Sequence, residues 1–244
     1  GMDNKISQLI ESYREDFTET LRTWIRIPSV KGPAEAGAPF GREIRNMLDQ
    51  ALRDARRLGF EARDFDGYAC DVTLGGQEEK IAVLAHLDVV PVGDGWTRPP
   101  FEGLMEDGKM YGRGTNDDKG PALAALFAMR ALREAGVPLK KSVRLILGCD
   151  EEEGWEDMKY YGEHERIPAV GFSPDASFPL INTEKGMLGL ELRAPAAGSG
   201  LKVLELATGD RVNVIPGECK ALVEGGREVA EKTEAYAKRT GLSY

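Results

Sequence analysis

Cysteine is scarce in this sequence. Cys70, Cys149 and Cys219 stand far apart, and no CxxC pair occurs. That excludes a disulfide framework and a thiolate zinc site, and it points to a reducing compartment. Long apolar runs are missing as well, so neither a membrane-spanning helix nor a charged-then-apolar leader can be read. Cytoplasmic residence is the expectation, with no membrane partner. Basic charge is in deficit: the net charge of -9 speaks against a protein that grips a nucleic-acid backbone. Repeats and low-complexity tracts are absent too. What remains is an ordinary globular composition, 41% apolar and 30% charged over 244 residues, enough for one large domain or one domain and part of another.

The hydrophobic pattern divides this length into elements. Residues 5–26 place Ile6, Ile10, Tyr13, Phe17, Leu21 and Trp24 at helical steps, and 41–58 form a second helix stopped by Gly59. Strand-like runs follow at 60–65, 68–74 and 80–86, then a hairpin closed by Glu106-Asp107-Gly108-Lys109. A helix over 119–136, a strand SVRLILG, a short helix over 156–164 and a strand AVGFS complete the alternation. Interleaved strands and helices predict an α/β fold, a mixed, largely parallel sheet flanked by helices. From 186 the texture changes: 186–194, LKVLELA and ECKALVE read as strands and 227–241 as a helix. This places one domain over 1–185 and the start of a smaller α+β domain over 186–244.

The acids are not spread evenly. LILGCDEEE runs from an apolar strand into Asp150, Glu151, Glu152 and Glu153, IAVLA leads into His86-Leu87-Asp88, and AVGFS leads into Pro174-Asp175. In open α/β sheets chemistry collects beyond the carboxyl ends of the strands, and all three clusters belong there. The loop GRGTNDDKG adds Asp117 and Asp118 at a helix start. Carboxylates converging on one edge repel unless a cation joins them. A mixed imidazole and carboxylate set suits zinc, cobalt or manganese. His86 and Asp88 start on the same strand face, so Asp88 can take the second ring N–H of a ligating His86. Glu151 and Glu152 diverge, so one can ligate while the other serves as general base to a water.

HLDVVPVGDGWTRPPF, MYGRGTNDDKGP, LGCDEEEGW and FSPDASFP together resemble the dinuclear zinc dipeptidases related to bacterial Xaa-His dipeptidase, carnosinase and aminoacylase. The resemblance covers about residues 80–216, more loosely from residue 5, and includes NVIP. It implies a zinc-exopeptidase-like catalytic domain followed by a lid, two zinc ions, and a dipeptide or peptide-like substrate. His86 and Asp175 would hold one ion, Glu152 the other, and Asp117 would bridge them. Glu151 would be the base, Asp88 would orient His86, and Asn213 of NVIP would touch substrate. The Asp117–Asp118 peptide is typically cis in such enzymes. Family members continue beyond Tyr244, so the chain is expected to be an N-terminal portion that lacks a late histidine of the second zinc site. Activity on N-acyl amino acids and a non-catalytic metal-binding fragment are the alternative readings, and self-association is left open.

Other prominent residues have plainer readings. Asp150 and Glu153 are expected to be solvated, and Asp118 to cap a helix or to support the metal ligands from behind. Lys119-Gly120 lacks the spacing of a phosphate loop. Tyr111, Trp96 and Trp155 are expected to pack around the cleft, Cys149 to be buried and inert, and His164 to lie on the surface. Asn213 also fits a simple turn ahead of Pro216.

Overall fold

A computed structural model of the chain describes residues 1–243 apart from 196, 197, 199, 210 and 227. It divides into two compact units, Gly1–Ile181 and Asn182–Tyr244.

The first unit opens with helices α1 (Met2–Ser12), α2 (Arg14–Ile25) and α3 (Arg42–Arg57). Strands β1 (Ala62–Phe65), β2 (Ala69–Leu74) and β3 (Lys80–His86) follow, then the hairpin β4 (Leu104–Glu106) and β5 (Lys109–Tyr111). Helix α4 (Lys119–Glu134), strand β6 (Ser142–Gly148), helix α5 (Glu156–His164) and strand β7 (Val170–Phe172) complete it. The main sheet has the order β1-β2-β6-β3-β7. β3 pairs in parallel with β6 and β7, while β2 is antiparallel to both β1 and β6. Four strands therefore run one way and β2 runs the other, the mixed, largely parallel sheet read from the sequence.

Alternating side chains cover both faces of this sheet. Cys70, Val72, Val83, Ala85, Leu145 and Leu147 enter the main core with the apolar stripes of α1 to α4. Their neighbours Ala69, Ala82 and Ile146 form a smaller core with Tyr161 of α5. The N-terminal helix departs from the single run expected over 5–26, because it breaks at Tyr13. Tyr13 is buried, its ring edge meets Phe127 and its hydroxyl donates to Glu134 Oε2 at 2.5 Å. The periodicity runs through the break because the core lies on the same side of both segments.

A buried polar knot ties β1, β2 and α5 together. Asp71 is 1% exposed and accepts two hydrogen bonds from its cross-strand partner Arg63, at 2.9 and 2.6 Å. The fully buried Tyr161 hydroxyl donates to the same carboxylate at 2.7 Å. Asp71→Ala strands that hydroxyl and breaks the charge pair, so stability should fall by about 2–4 kcal/mol. Urea unfolding measures it, and a loss below about 0.5 kcal/mol would show the knot to be dispensable.

The second unit contains β8 (Lys202–Thr208) paired antiparallel with β9 (Cys219–Glu224), and helix α6 (Val229–Thr240). Residues 186–194 are not a strand: they are exposed and carry no regular structure. Their apolar alternation finds no neighbouring strand to satisfy the backbone, and alternation alone does not make a ladder. Arg227, the expected first residue of the last helix, lies outside the described residues. Among the described residues, no helix is long and apolar enough to cross a membrane.

Candidate metal centre

Three chain crossings meet at the carboxyl ends of β3, β6 and β7. His86, the last residue of β3, lies opposite Gly148 of β6 in parallel register, so the turn after β6 starts beside the imidazole. β7 runs alongside β3 and delivers Asp175 three residues past its end. Asp117 and Asp118 precede α4, and their peptide bond is cis. The helix start presses on the loop before it: a Cβ at Gly120 would collide with the Thr115 carbonyl oxygen, so only glycine fits there.

His86 is 2% exposed, and its hydrogen bonds fix its chemistry. Nδ1 lies 2.9 Å from the carbonyl oxygen of Asp88, which can only accept, so Nδ1 carries a proton. Nε2 faces Asp117 Oδ1 at 3.0 Å, Asp175 Oδ2 at 3.4 Å and Glu151 Oε2 at 3.6 Å, and in a neutral ring it would present a lone pair to them. Acceptors would then face acceptors, an arrangement that requires either a cation between them or a proton on Nε2. Asp118 is fully buried, and its Oδ2 accepts the His86 backbone N–H at 3.2 Å. Its other oxygen, Oδ1, has no hydrogen-bond partner. Such an orphaned buried carboxylate oxygen fits a cation ligand.

Potential ligand atoms within 4.8 Å of one another form two overlapping sets, His86–Asp117–Glu152 and His86–Asp118–Asp175. The electrostatics agree. Burial alone would lower the His86 pKa, yet hydrogen bonds to Asp117 and Asp88 raise it to about 12. Burial, then the charges of Asp117 and Glu151, lift Glu152 to about 7. Burial and Asp175 lift Asp118 to about 8, while burial raises Glu151 and Asp175. Asp117 alone is lowered, chiefly by its hydrogen bond to His86. The cluster holds more negative charge than one imidazolium can balance.

Six of the seven residues selected from the sequence therefore converge: His86, Asp88, Asp117, Glu151, Glu152 and Asp175. The seventh, Asn213, lies in an exposed turn of the second unit where Val214 N donates to Arg211 O at 3.2 Å. Asp88 meets His86 more closely through its carbonyl than through its carboxylate, which lies at 3.3 Å. That carboxylate instead accepts the backbone N–H groups of Glu151 and Glu152, both at 3.1 Å.

Three plain readings are corrected. Asp118 sits at the start of α4 but makes no side-chain capping bond, because its carboxylate is drawn to His86. Asp150 is not solvated: it is 1% exposed and pairs with Lys31 Nζ at 2.9 Å. Trp155 is not a packing residue, being 51% exposed in a left-handed conformation at φ 57°. Cys149 is buried and His164 exposed, as expected. Of the two expected readings of Asp118, the supporting one agrees with its place beside His86. Lys31 is the neighbour that sequence reasoning missed, and nothing in VKGP signalled it.

An α/β unit that gathers one imidazole and six carboxylates beside its strand ends has the make-up of a metal-dependent hydrolase domain. Residues 82–241 match Peptidase family M20/M25/M40, and the chain belongs to that family. It is 38% identical over 218 residues to a putative dipeptidase, YtjP, of Bacillus subtilis, covering 87% of this chain and 47% of that one. It is 37% identical over 229 residues to a Beta-Ala-Xaa dipeptidase of Lactobacillus delbrueckii subsp. lactis, covering 92% and 49%. The chain thus spans about half the length of these relatives. Human carnosine dipeptidase 1 superposes on 67% of this chain and 38% of its own, with a TM-score of 0.57 and 28% identity.

Proposed function

We propose that the protein is a metal-dependent dipeptidase whose catalytic unit lies in residues 1–185, with 186–244 beginning a substrate-contacting lid. The observation that carries this reading is His86 Nε2 facing three carboxylate oxygens within 3.6 Å. His86, Asp117, Glu152 and Asp175 would hold two zinc ions, with Asp117 shared between them and cobalt or manganese able to replace zinc. Asp118, brought into the second ligand set by the fold, would stand beside them. When bound, such cations polarise a carbonyl and lower the pKa of water.

The chain's own residues supply the rest. Glu151 takes a proton from the attacking water and returns it to the leaving amine; burial raises its basicity for that purpose. Asp88 fixes both ends of this arrangement, holding the His86 ring with its carbonyl and the Glu151 and Glu152 amides with its carboxylate. Asn213 is assigned a substrate contact from the second unit. The dipeptidase names of the relatives favour a dipeptide as substrate.

A hydrolysis panel of dipeptides and N-acetyl amino acids, run with zinc, cobalt and manganese, tests the reading. Dipeptide cleavage should vanish with a chelator and return when the cation is restored. Preferential cleavage of N-acetyl amino acids would replace the dipeptidase assignment with a deacylase, and chelator-resistant hydrolysis would remove the metal from it.

A further inference from the structure

The segment Ser29–Lys31, between α2 and α3, runs as a strap beside the residues that follow β3 and reaches the turn after β6 through Lys31. Ser29 is fully buried, and its hydroxyl donates to the Leu87 carbonyl at 2.7 Å. Val89 N–H donates to Ser29 O at 3.0 Å, and Val30 bridges Val89 in parallel. The strap is fixed on both sides. Before it, the buried Lys119 ammonium donates to Trp24 O at 2.9 Å and Ile27 O at 2.8 Å. After it, Gly32 N donates to Phe40 O at 2.9 Å, and a Cβ at Gly41 would come within 2.8 Å of Gly32 Cα.

Lys31 projects from this strap onto Asp150, with Nζ 2.9 Å from Oδ1, and lies 3.7 Å from Glu153 Oε2. Asp150 is the hub of the turn that follows β6. Its Oδ2 accepts Glu156 N–H at 3.2 Å, its carbonyl accepts Trp155 N–H at 2.9 Å, and its own N–H donates to Asp157 at 3.0 Å. Glu151 and Glu152 are the next two residues. Asp88 holds their backbone from one side, and the Lys31–Asp150 pair anchors the turn from the other.

We propose that Lys31 is a positioning residue for the metal centre: through Asp150 it sets the aim of Glu151 and Glu152. The proposal rests on the metal reading above. It assigns a place in that centre to a loop residue 119 positions away from its partner, and within the DEEE run it sets one acid that anchors, Asp150, apart from two that act, Glu151 and Glu152. Loss of the anchor leaves the ligands present but less well held, and supporting groups of this kind change metal affinity by about 10–100-fold.

Cobalt(II) titration of the whole chain, followed by its visible absorption, tests this with circular dichroism as the check on folding. The native chain is compared with Lys31→Met, Lys31→Arg and the double variant Lys31→Met/Asp150→Asn, which leaves no stranded carboxylate. Lys31→Met and the double variant should bind cobalt about 10–100-fold more weakly, with an altered ligand-field spectrum, and Lys31→Arg should recover most of the affinity. A folded Lys31→Met, or the folded double variant, that binds with native affinity and a native spectrum would overturn the proposal. No cobalt uptake by the native chain would overturn the metal reading itself and the Lys31 proposal with it.

Discussion

Glu151→Gln should keep its metal and lose turnover by about 10²–10⁴-fold, the range expected when a general base is removed. The two glutamates are neighbours in sequence, and Asp88 grips both amides at the same 3.1 Å, so backbone position does not distinguish them. Their side chains do. Glu152 belongs to the ligand set with His86 and Asp117, whereas Glu151 belongs to neither set and approaches Nε2 of His86 only to 3.6 Å. A carboxylate beside the ligands, with basicity raised by burial, is placed to move a proton. Glutamine keeps its shape and loses that capacity. kcat and kcat/KM should therefore fall together, as they do when an interaction made only in the transition state is lost. Glu152→Gln should fail differently, by releasing metal. The assignment is wrong if Glu151→Gln retains activity within tenfold of native, or if it sheds metal as readily as Glu152→Gln.

Much of the fold was written in local patterns. The short helix expected over 156–164 occurs at Glu156–His164, and the hairpin closes at Asp107-Gly108 as its turn residues demand. Strand-end chemistry was legible because each apolar run stopped abruptly at a polar residue. Partnership was not legible. Residues 186–194 alternate like a strand, yet pairing depends on a neighbour that no local window contains. The break at Tyr13 escaped the helical period for the same reason, since its ring and hydroxyl answer to Phe127 and Glu134 on α4. Within the DEEE run, composition could not tell an anchor from a ligand. Asp150 is set apart by Lys31, and that contact exists only after α2 has been packed against α4 and its C-terminal carbonyls tied to Lys119.

Asp117→Ala should abolish most of the stabilisation that divalent cations give the folded chain. A ligand that binds only the native state stabilises it by about 2.7 kcal/mol at one hundred times its dissociation constant. For a unit the size of residues 1–181 that corresponds to a melting-temperature rise of about 5–10 °C. Asp117 is the carboxylate closest to Nε2 of His86, at 3.0 Å, and the one whose pKa is held down, so it carries its negative charge most readily. If it is shared by two cations, its removal weakens both sites at once and the rise should nearly vanish. Asp118→Ala gives the contrast. Each aspartate falls in one ligand set, Asp117 with Glu152 and Asp118 with Asp175, but the bridge is assigned to Asp117 alone, so loss of Asp118 should cut metal content by about half while the set containing Glu152 survives. Thermal scans with and without zinc, paired with elemental analysis after dialysis, measure both quantities on the same samples. Equal losses in the two variants would make the aspartates interchangeable ligands and remove the bridging role from Asp117. A full rise in Asp117→Ala would move the centre onto Asp118 and Asp175, leaving the orphaned Oδ1 of Asp118 as the atom that marks it.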